Sequence, residues 1–222
     1  MLKARKKITK RDIKEDPLVT FYVRTQKFLQ KNSKPFYIGI LAVIVIATFI
    51  MLDLRSRRTG NIRAESRIVT AEQIYFSRDF DRAIPELQTV IQESPGTIGA
   101  GRAVFYLANC YYEKGEYADA MRFFQQYLDD YGNIDYFKIS SQSGIADCLG
   151  NEDRFEEAAA AYEKAAIIGD HSFTRPFNLR DAARCYVEAG NPEKGRSIYQ
   201  KILKDYPDAP FSSEVDFQLH AL

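Results

Sequence analysis

The sequence predicts an all-α protein in which a solenoid of paired helices follows one membrane helix. Two observations support this prediction. Alanine or glycine recurs at fixed positions through four segments of equal length, and the seventeen residues from Phe36 to Leu52 include no charged side chain. With 222 residues, 45% hydrophobic and 27% charged, the composition is that of a folded chain rather than a disordered one. We therefore expect one folded module and an anchor.

The net charge of +1 conceals an uneven distribution. Residues 1–34 contain eleven Lys or Arg and three Asp or Glu, for a net charge of +8, and residues 53–58 add +2. The remaining residues, 59–222, therefore carry −9. A basic N-terminus suits an anionic lipid surface, whereas the acidic charge of the folded part argues against a nucleic-acid partner.

The uncharged stretch predicts a transmembrane helix over residues 35–54. Its length is near the lower limit for crossing a bilayer, and basic residues cluster at both of its ends. No small-residue cleavage pattern follows Leu52, so we expect the segment to remain in the mature protein. Seven basic residues between Lys3 and Lys14 favour a cytoplasmic N-terminus, which would make the solenoid extracytoplasmic.

Residues 1–34 are expected to form a basic cytoplasmic head. Asp16-Pro17 resembles a helix start, and apolar residues then recur at helical spacing: Leu18, Phe21, Tyr22, Phe28 and Leu29. This pattern predicts an amphipathic helix on the membrane surface, with lipid contact through residues 17–54. A solvated linker helix is the alternative. Residues 55–63 are expected to link the anchor to the repeats.

Residues 64–209 divide into four segments of 34 residues that align without gaps: 64–97, 101–134, 139–172 and 176–209. Position eight is always alanine and position twenty is alanine or glycine: Ala71, Ala108, Ala146 and Ala183, then Ala83, Ala120, Ala158 and Gly195. Large residues occupy positions eleven and twenty-four: Ile74, Tyr111, Leu149 and Tyr186, then Leu87, Phe124, Tyr162 and Tyr199. Small residues allow two helices to approach closely, and the large ones fill the remaining space.

Turn residues separate the predicted helices, as at Gly115 and Gly190, and Pro95 and Pro207 follow the second helices of the outer repeats. Residues 210–222 resemble a further first helix without a partner, which would cap the open end of the solenoid. The pattern over 64–209 is similar to the tetratricopeptide repeat. That resemblance implies a solenoid of stacked helix pairs that serves as a scaffold for protein binding.

The order of basic head, amphipathic helix, single span and repeats resembles the bacterial YfgM-type family of ancillary Sec translocon subunits. The repeat spacing and the Asp205 to Pro210 segment are also similar to the BamD and CpoB families of envelope repeat proteins. These resemblances imply a single-pass protein of the bacterial inner membrane with periplasmic repeats. Its partner would belong to the Sec translocon or to envelope-assembly machinery.

Catalytic and metal-binding patterns are lacking in the sequence. Cys110, Cys148 and Cys185 share position ten of successive repeats, so we expect them about 10 Å apart, unpaired and buried. The two histidines, His171 and His220, lie in a predicted loop and in the cap. No phosphate-binding loop or nucleophile motif is found. We therefore expect a protein that is not an enzyme, with no cofactor, metal or small-molecule substrate.

The first helices of tetratricopeptide repeats line a concave groove, which gives the candidate site of partner binding. The residues expected to be exposed there are Tyr75, Phe105, Asn109, Tyr112, Arg180 and Arg184, with Glu72 and Asp147 beside them. Asn109 with Arg180 and Arg184 is similar to a clamp for carboxylate tails, although Asp147 does not suit an acidic ligand. A mixed polar and aromatic groove for an extended or helical segment is the alternative.

The sequence thus predicts an extracytoplasmic scaffold that binds a protein partner or an emerging polypeptide. The alternative is a permanent accessory subunit of a membrane complex, or a homo-oligomer. The identity of the partner, the organism and the oligomeric state do not follow from the sequence.

Overall fold

The computed structural model describes residues 19–24, 26, 33–169 and 173–222, without the side chains of 33, 35, 36, 53, 54, 56–60 and 63. Within it the chain forms two compact units, Met1–Ser56 and Arg57–Leu222. Most of the predicted basic head lies outside the described residues, including Asp16, Pro17, Phe28 and Leu29. His171 does as well.

Regular secondary structure in the described residues is helical throughout, as the sequence predicts. Helix α1 spans Ser33–Phe76, and the helices after it are α2 Phe80–Glu93, α3 Ile98–Glu113, α4 Tyr117–Gln126, α5 Asp135–Asn151, α6 Phe155–Ala166, α7 Arg175–Glu188, α8 Pro192–Asp205 and α9 Ser212–Ala221. Helix α4 continues directly into a π-helical turn at Tyr127–Tyr131.

The N-terminal unit contains the uncharged part of α1. Every side chain from 37 to 52 is exposed, with Phe49 at 75% and Tyr37 at 70%. In the described part of the chain, no helix is both long enough and apolar enough to cross a membrane. The predicted transmembrane segment, 35–54, includes four residues whose side chains lie outside that part: Pro35, Phe36, Asp53 and Leu54.

In the second unit, each turn from a first helix to a second helix places one residue in the left-handed region of backbone conformation. These residues occupy position fifteen of the four repeats: Arg78 at φ 60°, Gly115 at 76°, Asp153 at 60° and Gly190 at 78°. The amide of the following residue donates to a carbonyl five residues earlier, as in Asn191 to Tyr186 at 2.8 Å. One turn geometry therefore recurs at intervals of 37 or 38 residues.

Side-chain caps begin two of the second helices and one first helix. The Asp79 carboxylate accepts from the amide of Arg82 at 3.3 Å, and the Asn191 side chain accepts from the amide of Lys194 at 3.3 Å. The Thr97 hydroxyl accepts from the amide of Ala100 at 3.1 Å at the start of α3. These bonds satisfy amides that have no partner within the helix.

The predicted small residues are buried where helices meet. All four alanines at position eight are at most 1% exposed, as are the three alanines at position twenty. In the last repeat the two helices approach so closely that a Cβ on Gly195 would lie 2.6 Å from Cγ2 of Val187 and 3.0 Å from the carbonyl oxygen of Ala183. Glycine is therefore required at this crossing.

The large residues at position twenty-four are all buried, whereas those at position eleven differ in burial. Leu149 and Tyr186 are buried, and Ile74 and Tyr111 are only partly buried. Two hydrophobic clusters result, one mainly from the first two repeats and one mainly from the last two. Helix α9 adds Val215, which is fully buried in the second cluster, so the predicted C-terminal segment does pack as a helix on the solenoid.

The turn geometry predicts different effects for two glycine-to-alanine substitutions. Gly190→Ala should lower the free energy of unfolding by about 1–2 kcal/mol, because the Cβ of alanine makes the left-handed conformation less favourable than it is for glycine. Gly150→Ala should be neutral or slightly stabilising, since Gly150 lies within α5 and its added Cβ would meet only Ala158 Cβ at 4.0 Å. Urea unfolding monitored by circular dichroism measures both, and equal losses would contradict the assigned turns.

Candidate functional site

Two adjoining clefts lie along the first helices of the last three repeats. The first has a volume of about 500 Å³ and is lined by residues of α3, α4, α5 and the start of α7. The second has a volume of about 410 Å³ and is lined by residues of α3, α5, α6 and α7. Tyr112 and Asp147 line both clefts. We refer to the two clefts together as the groove.

Aromatic side chains form much of the first cleft: Phe105, Tyr112, Phe124, Phe173 and Phe177. Phe105 packs against Phe137, with ring centroids 4.9 Å apart, and lies 6.1 Å from Phe124. It is only 9% exposed. The expectation that Phe105 is exposed in the groove is therefore wrong: it lines the first cleft, but its ring is buried in the hydrophobic core.

Amide groups give the first cleft its hydrogen-bonding capacity. The Asn109 side-chain nitrogen donates to the carbonyl of Phe105 at 2.8 Å, which leaves its amide oxygen as an acceptor. Asn178 is buried, and its amide oxygen accepts from the Ser143 hydroxyl at 2.7 Å. The cleft is thus lined by aromatic rings and by amide and hydroxyl groups that hold fixed orientations.

Asp147 lies where the two clefts meet. Its carboxylate accepts a hydrogen bond from the Tyr162 hydroxyl, and its backbone carbonyl accepts from Asn151 at 2.8 Å. Asn151 also donates to the Tyr112 hydroxyl at 3.3 Å. Burial raises the pKa of Asp147, and the Tyr162 bond opposes that rise by stabilising the charged form.

The predicted arginines are partly engaged within the protein. Arg180 donates to the Asp181 carboxylate at 3.0 Å, and its guanidinium lies 4.7 Å from the centre of the Phe211 ring. Arg184 is more exposed, at 65% of its side chain, and lies 4.0 Å from the same carboxylate. Only Arg184 lines the groove, in the second cleft. Asp181 therefore compensates part of the positive charge that Arg180 and Arg184 would need to bind a carboxylate tail.

Tyr75 lies away from both clefts. Its ring packs against Phe76, Phe80 and Tyr106, with centroids 5.3, 5.9 and 5.1 Å away. From the predicted set, the two clefts therefore include Asn109, Tyr112, Arg184 and the buried Phe105. Tyr75 and Arg180 line neither cleft.

Several groove residues were not predicted from the sequence. Phe177 and Asn178 are positions two and three of the last repeat, and they line the first cleft from the start of α7. Phe173 precedes α7 in a segment between repeats and is 76% exposed. No signal in the repeat pattern could have placed Phe173, because it lies outside the regular spacing.

The three cysteines are free and buried, as their shared repeat position predicts. Burial raises the pKa of the Cys110 and Cys148 thiols to about 12, and it raises the pKa of Cys185 as well. Such thiols are poor nucleophiles because the thiolate is the reactive form. Among the described residues, no group of three or more His, Cys, Asp or Glu is placed to hold a metal ion.

Thiol reactivity tests this arrangement. At pH 8 a thiol of pKa 12 has a thiolate fraction about a thousandfold smaller than an unfolded cysteine, so native Cys110 and Cys148 should react at least about 100 times more slowly than after denaturation. Labelling with a maleimide before and after adding guanidinium measures the ratio, and denaturation should release three thiols. Rapid labelling of all three in the native protein would mean that the helical phase is wrong.

Comparison with protein families and solved structures agrees with the fold. Two tetratricopeptide repeat models match the chain, one at residues 77–142 and one at 179–209. Comparison with curated proteins gives no significant sequence match. The fold and the groove thus define a solenoid of tetratricopeptide repeats, as the sequence predicts.

Solved structures resemble the chain at low sequence identity. A protein of Podosopora anserina described as a kinesin light chain, with nearly identical TPR-like repeats, has a TM-score of 0.57 and 15% identity, and the match covers 71% of this chain and 83% of that one. A variant of the same protein with a single substitution gives the same values. The type III secretion translocator chaperone SycD of Yersinia enterocolitica has a TM-score of 0.44 and 21% identity, over 55% of this chain and 90% of its own. At these identities the likeness concerns the fold alone.

Proposed function

We propose that this chain is a membrane-anchored scaffold whose groove binds an extended segment of a partner polypeptide. The observation that carries the proposal is the pair of adjoining clefts, because they combine aromatic surface with amide groups along three stacked first helices. An extended backbone offers donors and acceptors on both sides, which amides can bind in either direction. Aromatic rings at Tyr112 and Phe177 supply apolar contact area.

The anchor is supported by the apolar surface of α1. Sixteen consecutive side chains, 37–52, are exposed and uncharged, which is a larger apolar surface than soluble proteins usually leave in water. Basic residues precede and follow this stretch, as they do at many membrane anchors. We therefore infer that lipid covers this part of α1 and anchors the chain at the membrane.

The net charge of +8 in residues 1–34 supports a cytoplasmic head and an extracytoplasmic solenoid. With the resemblance to YfgM-type proteins, this orientation supports a partner at a secretion or envelope-assembly machine of a bacterial inner membrane. A polypeptide emerging from such a machine is extended and partly apolar, which suits an aromatic groove.

A permanently integrated accessory subunit is the second candidate. Large aromatic side chains outside the groove favour it, since Phe76, Tyr136 and Phe217 are 67%, 64% and 72% exposed. Apolar side chains on several sides of the solenoid are typical of proteins that stay in a complex. A stoichiometric partner that remains bound at both low and high salt would support this candidate over a transient binder.

Photo-crosslinking tests the groove. The full-length protein carrying benzoylphenylalanine at Tyr112 should form polypeptide adducts in cells, whereas the same probe at Gln200, exposed on α8 and outside both clefts, should form few. Adding Asn109→Ala should reduce the Tyr112 adducts about fivefold or more, corresponding to a loss of roughly 1–3 kcal/mol in binding. Adducts of similar yield at both positions, or more at Gln200, would exclude the groove as the binding site.

Membrane association gives a separate prediction. Val43→Asp with Ile46→Asp should release the full-length protein from liposomes of anionic phospholipid in a flotation assay, because each aspartate costs about 2.5–3.5 kcal/mol at the centre of an inserted helix. Ser197→Asp with Gln200→Asp places the same charges at the same spacing on exposed positions of α8 and should leave flotation unchanged.

A separate assay in spheroplasts tests the orientation of the chain in the membrane. Protease added to spheroplasts should degrade the solenoid and spare the head if the repeats are extracytoplasmic. Retention of both double variants on liposomes would contradict the anchor, and protection of the solenoid would contradict the orientation alone.

A further inference from the structure

Position nine of the four repeats places equivalent side chains on successive first helices: Glu72, Asn109, Asp147 and Arg184. Glu72 is neutralised by Arg102, which donates to both of its carboxylate oxygens at 2.9 and 2.6 Å. Arg184 lies near Asp181. Asp147 differs, because among the described residues no lysine or arginine forms an ion pair with it and its carboxylate accepts a hydrogen bond from the neutral Tyr162 hydroxyl. The Arg184 charge acts on Asp147 from beyond ion-pair distance and lowers its pKa, whereas the Asp181 charge raises it.

The surroundings of Asp147 favour a positive ligand group. It is half-buried at the junction of the two clefts, and the Glu188 side chain also lines the second cleft. Glu113 lines the first cleft and pairs with Arg78 at 2.7 Å. The amide oxygen of Asn109 adds a neutral acceptor. Arg184 also lines the second cleft, and Asp181 beside it compensates part of its charge. A group that donates several hydrogen bonds and carries positive charge is therefore complementary to the carboxylates of Asp147 and Glu188 and to the Asn109 amide oxygen.

The aromatic rings beside Asp147 suit the same ligand group. Tyr112 lines both clefts with Asp147, and the Asp147 charge is one of the causes, after burial, that raise the pKa of Tyr112. Lysine and arginine side chains have long apolar stems that pack against rings, and their charged ends are attracted to the ring faces. Phe105 and Phe177 add apolar lining to the first cleft.

We propose that the groove selects a lysine or arginine side chain of the bound polypeptide, with Asp147 as its counter-charge and Tyr112 as the ring against its stem. This inference depends on the proposed binding of a polypeptide in the groove and names the chemistry of that ligand. It reverses the polarity that Arg180 and Arg184 suggest in the sequence, because Asp181 pairs with Arg180 and lies beside Arg184.

A positional-scanning library of hexapeptides tests the proposal with the full-length protein in lipid nanodiscs. At one library position, mixtures fixed as lysine or arginine should bind at least about tenfold more tightly than the mixture fixed as norleucine, which has a similar stem and no charge. Asp147→Asn should reduce this preference to less than about twofold while keeping the norleucine affinity, because asparagine can still accept from Tyr162. Asp147→Lys should transfer the preference to glutamate.

Asp130→Asn is the matched control, since it removes one negative charge from an exposed position outside both clefts. It should keep the full preference, and circular dichroism should show unchanged folding for both asparagine variants. A preference for glutamate in the unmodified protein, a lysine preference that persists in Asp147→Asn, or an equal loss in Asp130→Asn would each overturn the proposal.

The remaining outcomes separate the two proposals. Peptide binding without any charge preference, together with crosslinking at Tyr112, would overturn the lysine or arginine site. It would still support the proposal that the groove binds a polypeptide. Absence of both peptide binding and Tyr112 adducts would overturn both. The chain could also bind no peptide and instead associate with itself in a way that Asp147→Asn abolishes. That result would show that a second copy of the chain occupies the groove, and it would overturn the proposal of a separate polypeptide ligand.

Discussion

In each repeat, a buried alanine of the first helix and a buried alanine or glycine of the second lie in the same tightly packed core, and the rest of the solenoid depends on this packing. At Gly195 even one added carbon would meet the backbone of α7 at 3.0 Å. A larger residue would force the helices apart, and protein interiors do not absorb such a change without loss of packing. Because the two helices have little freedom to separate or rotate, each repeat presents its first helix at nearly the same angle.

The regular turns extend this constraint along the chain. A left-handed residue at position fifteen ends each first helix at an equivalent point, even where arginine or aspartate must adopt that conformation. Equivalent positions therefore recur on neighbouring helices, which is why Asn109, Asp147 and Arg184 follow one another along one surface. A groove is the consequence of repeated geometry, whereas its chemistry depends on which side chains occupy the repeated positions.

Charge pairing decides that chemistry. Three of the four residues at position nine are charged, and their neighbours differ. Glu72 pairs with Arg102, and Arg184 lies near Asp181, whereas Asp147 accepts from the Tyr162 hydroxyl and forms no ion pair with a described lysine or arginine. An ion pair inside the protein reduces what a side chain can offer to a ligand, because its field is already compensated. The groove is therefore less basic than the arginines of α7 suggest. Its centre is acidic because no lysine or arginine among the described residues forms an ion pair with Asp147.

The sequence by itself determined the helical class, the tetratricopeptide pattern, the small residues of the core and the burial of the three cysteines. These features repeat with a fixed period, so a single chain contains four versions of the same evidence. Asn109 and Tyr112 were placed in the groove for the same reason. The tertiary structure alone decided that Phe105 belongs to the core, that Arg180 packs on Phe211 and pairs with Asp181, and that Phe173 reaches the first cleft. Contacts of this kind depend on side-chain conformations and on segments between the repeats, and the spacing of residues in the sequence contains no information about either.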